Sequence, residues 1–254
     1  MIGTNVAQGA SFLSQGQLIA IPTETVYGLA ANALSYEAVT EIYRVKNRPK
    51  FNPLILHCAN IDEAKNYVLE WPEEARLLSN EFWPGSISFL LPKSRLVPDL
   101  ITAGSSHVVV RVPNHPLTLD LLSRLSFPLA APSANISNTV SPTTAQHVES
   151  SIGSQIGYVL DGGPCSVGVE SSIVAFEGSN VVILREGGIS QEDITALGIK
   201  VKESTRSEIQ SPGQLIRHYS TCKPLIIVKN IQEWVNQNPE KSAIALLYEE
   251  KEIS

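Results

Sequence analysis

The chain has 254 residues, 43% of them hydrophobic and 17% charged, with a formal net charge of -6; this is the balance of a globular protein with a sizeable core, and it excludes a disordered or a bilayer-spanning chain. The acidic excess excludes a surface that is basic throughout, so any phosphate binding must be local. Three widely spaced cysteines, Cys58, Cys165 and Cys222, form no C-x-x-C, which disfavours structural zinc and a disulfide framework.

Residues 1–12 carry no basic segment ahead of an apolar core, so no secretory signal is expected and a cytoplasmic address is. Apolar periodicity predicts a helix over 6–15, closed by Gly16, and alternation predicts a strand over 17–21. A helix over 36–46 follows, entered through Ser35, then strands over 53–57, 86–91 and 107–112. Leu117, Leu121, Leu122 and Leu125 share one face of a helix over 117–125, and strands follow at 158–160, 171–176 and 181–184. An α/β domain with a twisted mixed sheet over residues 1–200 is the economical reading. From 201 to 222 the periodicity fades into a linker, and residues 223–254, with a strand at 224–229, a helix at 231–237 and a strand at 243–248, are too few for an independent core.

Several nucleotide and hydrolase devices are absent. Gly163-Pro164-Cys165-Ser166-Val167-Gly168 approaches a P-loop, but Val169 and Glu170 stand where lysine and a hydroxyl would hold phosphate and magnesium. There is no G-x-G-x-x-G, H-E-x-x-H or G-x-S-x-G. What remains is polar residues at strand ends. Thr23 to Leu29 follows the first strand with two hydroxyls, a carboxylate and a phenol; a capped strand-to-helix turn with Glu24 in solvent is the plain alternative. Lys46 and Arg48 end the second helix, where cations suit the macrodipole, but Pro49 and Pro53 stiffen the loop and make Arg48 a good phosphate fork. His57 reads equally as a buried, satisfied histidine. Arg111 ends an apolar strand and needs either a substrate carboxylate or an internal acid. Ala131 to Asn135 and the stretch from Ser141 to Thr144 present hydroxyls and backbone N–H groups, with Ser141 or Thr143 able to cap the next helix. Asp161 to Pro164 and Gly168 to Ile173 bracket a backbone-permissive loop, and Arg185 offers another fork.

In order, T-x-T-x-Y-G-L, K-x-R-P, N-P-L-x-x-H, W-P-G, V-R-x-P, A-P-S-A-N, S-P-T, D-G-G-P and G-V-E-S-S-I resemble the YrdC-like threonylcarbamoyl-AMP synthases. Ser211-Pro212-Gly213 and Arg217-His218-Tyr219 resemble the linker of the long subtype, although Gln214, Leu215 and Ile216 stand where that linker usually has Met-Lys-Tyr. The resemblance implies a YrdC-like mixed sheet with an open concave cleft, followed by a linker and a truncated Rossmann-like C-terminal segment. It implies a nucleotidyltransferase that makes threonylcarbamoyl-AMP and pyrophosphate from L-threonine, bicarbonate or carbon dioxide, and ATP. That product serves N6-threonylcarbamoyladenosine formation in tRNA, with tRNA or proteins of that modification as partners.

Carried over by motif, L-threonine is expected at Thr25, His57, Arg111, Ala131 and Ser171. ATP is expected at Lys46, Arg48, Asn52, His107, Ser133, Ser141, Arg185 and Tyr219, although His107 replaces a more usual small hydroxyl residue. Lys46 and Arg48 are the expected catalytic pair, stabilising the pyrophosphate leaving group, and Tyr219 belongs to a lid. Magnesium is expected to accompany the phosphates, with no dedicated metal ligands on the protein. The rival is a translation factor that binds double-stranded RNA or tRNA without turnover.

Overall fold

The structure is a computed structural model that describes residues 1–202, 226, 228 and 230–239. The chain divides into two compact units, Met1–Ser220 and Thr221–Ser254. In the second, the described helix is Ile231–Gln237, capped by the Asn230 side chain. The strand expected at 243–248, most of that expected at 224–229, most of the 201–222 linker and Tyr219 lie outside the described residues.

The strands of the first unit are β1 (Ile2–Gly3), β2 (Ile19–Ile21), β3 (Gly28–Asn32), β4 (Ile55–His57), β5 (Ile87–Pro92) and β6 (His107–Arg111). They continue with β7 (Leu129–Ala130), β8 (Tyr158–Leu160), β9 (Ser172–Glu177), β10 (Asn180–Arg185) and β11 (Lys200–Lys202). They form one mixed sheet in the order β1-β8-β2-β3-β7-β4-β6-β5-β9-β10-β11. β4 and β6 are parallel with His57 opposite Arg111, and β5 runs parallel to β9 but antiparallel to β6. Every strand expected from the sequence within this unit is there. β3 was hidden because Gly28-Leu29-Ala30-Ala31 is a short-side-chain run without alternation, buried throughout. It pairs antiparallel with β2, so residues 22–27 join two strands and do not lead into a helix.

Helices α1 (Val6–Ser14), α2 (Tyr36–Lys46), α3 (Ile61–Lys65), α4 (Glu73–Phe82), α5 (Asp99–Thr102), α6 (Pro116–Ser123), α7 (Ala145–Ile152) and α8 (Gln191–Ala196) flank the sheet. α2 shows why: Ser35 caps it through the Ala38 N–H, and Ala38, Val39, Ile42, Tyr43, Val45 and Lys46 bury one face. α7 is capped by Thr144, not by Ser141 or Thr143. The Ser141 hydroxyl donates instead to Glu170 (3.1 Å), and that of Thr143 lies 3.3 Å from His147 Nδ1.

Strand alternation builds the core on two sides. Ala20, Leu56, Phe89, Val110, Val159 and Val174 face the large cluster, which is also fed by α2, α4, α5 and α7. The other side carries two separate clusters: Ile19, Ile21, Leu129, Ala131 and Tyr158 with α1 and α6, and Ile55, Leu90, Val109, Ile173 and Val182. His57 and Arg111 share the parity of Ile55 and Val109, so they emerge on this second side, where the apolar cover is divided.

Candidate active site

A cleft of about 530 Å³, including the solvent at its mouth, opens between those two clusters and is lined by Ala131 from one and Ile55 from the other. Its polar lining includes Thr25, His57, Arg111, Glu170, Ser171 and Arg185. A second pocket adjoins it, sharing Arg48 and Ser133, and adds Lys46, Asn52, Asn135, Ser137 and Ser141.

In the first pocket Arg111 and Arg185 are paired with carboxylates. Arg111 donates to Glu24 Oε1 (2.6 Å), Thr25 Oγ1 (3.0 Å) and the Gly85 carbonyl (3.1 Å). Glu24 is buried, so the solvated reading of this residue is overturned: a carboxylate beneath the sheet surface needs a charged or donating partner, and Arg111 is that partner. Thr23 spends its hydroxyl proton on the Val26 carbonyl (2.6 Å), so in the 2.8 Å contact between them Thr25 donates to Thr23. The Thr25 oxygen is thereby left as an acceptor toward Arg111. Arg185 pairs with Glu170 (2.5 Å) and donates to both the carbonyl and the hydroxyl of Ser171 (3.0 and 3.1 Å). Ser88 Oγ lies 2.8 Å from Ser171 Oγ.

His57 is buried, and that burial, together with the Arg111 charge, depresses its pKa to about 3. The imidazole in this pocket is neutral at physiological pH. The two readings of His57 merge: it is a core histidine whose exposed edge lines a site.

The second pocket is built differently. Asn47 ends α2 in the left-handed region, with φ 49°, and turns the chain so that Lys46 and Arg48 reach the same side. Lys46 Nζ donates to the carbonyls of Ser133 and Asn135, the latter at 2.6 Å. Burial, helped by the Arg48 charge, lowers its pKa well below the usual lysine value. Arg48 donates to the carbonyls of Asn52 (3.2 Å) and Pro53 (2.8 Å), and burial brings its pKa to about 10, so it remains a cation at neutral pH. Among the described residues no carboxylate forms an ion pair with either. Among the described residues the buried oxygens Asn52 Oδ1, Asn135 Oδ1 and Ser137 Oγ have no hydrogen-bond partner. The Asn135 amide cannot simply turn over, because its Nδ2 donates to Ile136 O, Thr139 O and Thr139 Oγ1.

Thr25, His57, Arg111, Ala131 and Ser171 line the first pocket, and Lys46, Asn52 and Ser141 the second, while Arg48 and Ser133 line both. Arg185 stands with Ser171 in the first pocket. His107 is not brought to them: it begins β6, four residues before Arg111 and so roughly 13 Å along the strand, with Nδ1 3.0 Å from Ser106 Oγ. Sequence reasoning missed Glu24 and Glu170 as site residues. Both lie inside motifs beside hydroxyl residues, and the demand that buried arginines have acidic partners was the signal for them. Glu170 also joins the pockets, since its Oε1 accepts from Ser141 (3.1 Å) while Oε2 holds Arg185.

Fold and site define a mixed-sheet α/β protein with a paired-arginine cleft beside a pocket lined by Lys46 and Arg48. The chain belongs to the Sua5/YciO/YrdC family: residues 11–187 match that family, described as "Telomere recombination". Residues 189–253 match "Threonylcarbamoyl-AMP synthase, C-terminal domain". The chain is 39% identical over 250 residues to the threonylcarbamoyl-AMP synthase of Pyrococcus abyssi, covering 96% of this chain and 74% of the relative. It is 41% identical over 234 residues to that of Bacillus subtilis, covering 90% and 68%. The crystal structure of P. abyssi Sua5 complexed with L-threonine superposes with a TM-score of 0.84 at 39% identity, over 92% of this chain and 71% of that one.

Proposed function

We propose that this chain is an L-threonylcarbamoyladenylate synthase, joining L-threonine, bicarbonate or carbon dioxide, and ATP into threonylcarbamoyl-AMP and pyrophosphate for tRNA modification. The observation that carries it is the division of the cleft: a pocket in which Arg111 and Arg185 each hold a carboxylate opens onto one in which Lys46 and Arg48 donate to carbonyls and form no ion pair among the described residues. A zwitterion needs directional partners with little net field, whereas a triphosphate needs net positive charge. The relatives named as threonylcarbamoyl-AMP synthases and the L-threonine complex of P. abyssi Sua5 support the same reading.

In this reading the amino acid lies in the first pocket with its carboxylate on Arg111. His57 is neutral and adds no charge, and with a pKa of about 3 it is too weak a base to take the proton of the amine, which passes to solvent. The amine adds to carbon dioxide, giving a carbamate and a proton; a carbamate oxygen attacks the α-phosphorus, the bond to the β-phosphate oxygen breaks, and pyrophosphate leaves. No side chain has to become covalently attached. The work is alignment of two anions and exclusion of water, which Arg48, placed on both pockets, serves by countering charge between them. Lys46 shapes the Ser133–Asn135 loop through its two carbonyl bonds and offers its remaining N–H to phosphate. Tyr219, in a lid over the nucleotide, completes the proposal from the resemblance.

The unpartnered oxygens of Asn52, Asn135 and Ser137 are hard donors that fit magnesium or its coordinated waters, and they are the residues that would hold it. When bound, the ion would neutralise phosphate charge. Incubation of the protein with bicarbonate, magnesium and ATP, with and without L-threonine, tests the proposal. Threonine-dependent pyrophosphate release is expected; release that ignores threonine, or none, would sink it. Among the described residues no helix is long and apolar enough to cross a membrane.

A further inference from the structure

Arg111 is 4% exposed and Glu24 8%, which makes this pair the most deeply buried ion pair described. Glu24 does not line the pocket itself. Its carboxylate is held from three directions: Oε1 accepts from Arg111 and from Ser86 Oγ (3.2 Å), and Oε2 accepts from the Asn114 N–H (3.0 Å). The backbone is tied as well, with the Val167 N–H on the Glu24 carbonyl at 2.8 Å. A carboxylate so fully engaged by the end of β6, the residue before β5 and the loop after β6 has little freedom to turn.

Arg111 has five N–H groups. Nε is used by Gly85, one proton of Nη1 by Thr25 and one of Nη2 by Glu24. Two remain without a partner among the described residues, one on each Nη, which is the number a carboxylate takes in a two-pronged contact. A guanidinium without Glu24 would keep its charge but lose the bond that sets its plane.

We propose that Glu24 is a positioning residue for amino-acid recognition: it fixes the plane of Arg111, so that the two remaining N–H groups of the arginine meet a carboxylate in a two-pronged contact. This rests on the reading above that Arg111 takes the substrate carboxylate. It assigns to Glu24 a part in selectivity that the ion pair alone, as a structural tie, would not have.

The test compares L-threonine with L-threonine amide, which lacks the carboxylate charge, by titration calorimetry on the full chain. Wild type is expected to favour L-threonine about 10- to 100-fold, the range of hydrogen bonds to a charged group. In Glu24→Gln that preference is expected to collapse to about threefold or less, beyond any common loss of affinity for both ligands. If both affinities fall together and the preference survives, Glu24 is structural only and the inference is overturned. If wild type binds L-threonine with no preference over the amide, the assignment of Arg111 itself is lost. Should Glu24→Gln fail to fold, Ser86→Ala keeps both charges and removes one bond to the same carboxylate. Its preference is expected to fall about two- to threefold with unchanged melting temperature, and an unchanged preference would overturn the inference.

Discussion

The two pockets use the same side chains to opposite ends. Arg111 and Arg185 meet Glu24 and Glu170, so the first pocket spends its cations on internal partners and keeps their direction. Among the described residues Lys46 and Arg48 donate to backbone carbonyls and feel Glu170 through its charge alone, so the second holds its cations outside any direct ion pair. Carbonyl dipoles orient a cation without cancelling it, and a carboxylate does both. The difference separates recognition by geometry from recognition by charge within one cleft.

The comparison breaks most readily at Arg48, the cation common to both sides. Arg48→Ala is expected to lower threonine-dependent pyrophosphate release by about 100-fold or more, and a drop of less than fivefold would remove it from the reaction. Arg111→Ala is expected to raise the half-saturating threonine concentration by about 30-fold with a small change in that for ATP. It also strands Glu24 and should cost about 3 kcal/mol of stability, read as a lower urea midpoint. A variant in which both substrates suffer equally would erase the distinction between the pockets.

His57 sharpens the contrast through pH. Its folded pKa is about 3 and its unfolded value near 6.5, so below pH 6.5 the unfolded chain binds a proton that the folded chain refuses. Stability is therefore lost as pH falls. Between pH 6.5 and 4.5 this amounts to roughly 2.5 kcal/mol. Urea unfolding of wild type and His57→Asn at both pH values should show the variant losing less by that amount, and parallel losses would refute a neutral buried imidazole. The smallest effect is expected at His107. His107→Ala should change pyrophosphate release less than about twofold, because the residue sits roughly 13 Å along β6 from Arg111; a tenfold loss would enlarge the site beyond the two pockets.

Much of the site was legible because its residues lie at strand ends that alternation alone locates. β4, β5, β6 and β9 were visible in sequence, and with them His57, Arg111 and Ser171. The pairing across the sheet was not. Whether Arg111 faced a substrate or an internal acid stayed open in sequence, and the structure answers with an internal acid in an arginine that also lines the cleft. Glu24 read as solvated because the stretch after β2 resembled a turn into a helix, while β3, built of glycine, leucine and alanine, gave no alternating signal. Lys46 and Arg48 read as helix-end cations, and their convergence depends on Asn47 taking a positive φ, a local event that periodicity does not register.

His57 and Arg111 are register partners on adjacent parallel strands, whereas the oxygens of the second pocket sit on the loops around Asn52 and Asn135 to Ser141. One residue of slippage in either strand would send its cleft-lining group to the opposite side of the sheet, so that half of the cleft is hard-wired into the framework. The loop-borne half tolerates insertion and replacement. Exchanging those loops is thus a route to reshape the second pocket while His57 and Arg111 keep their places on the framework.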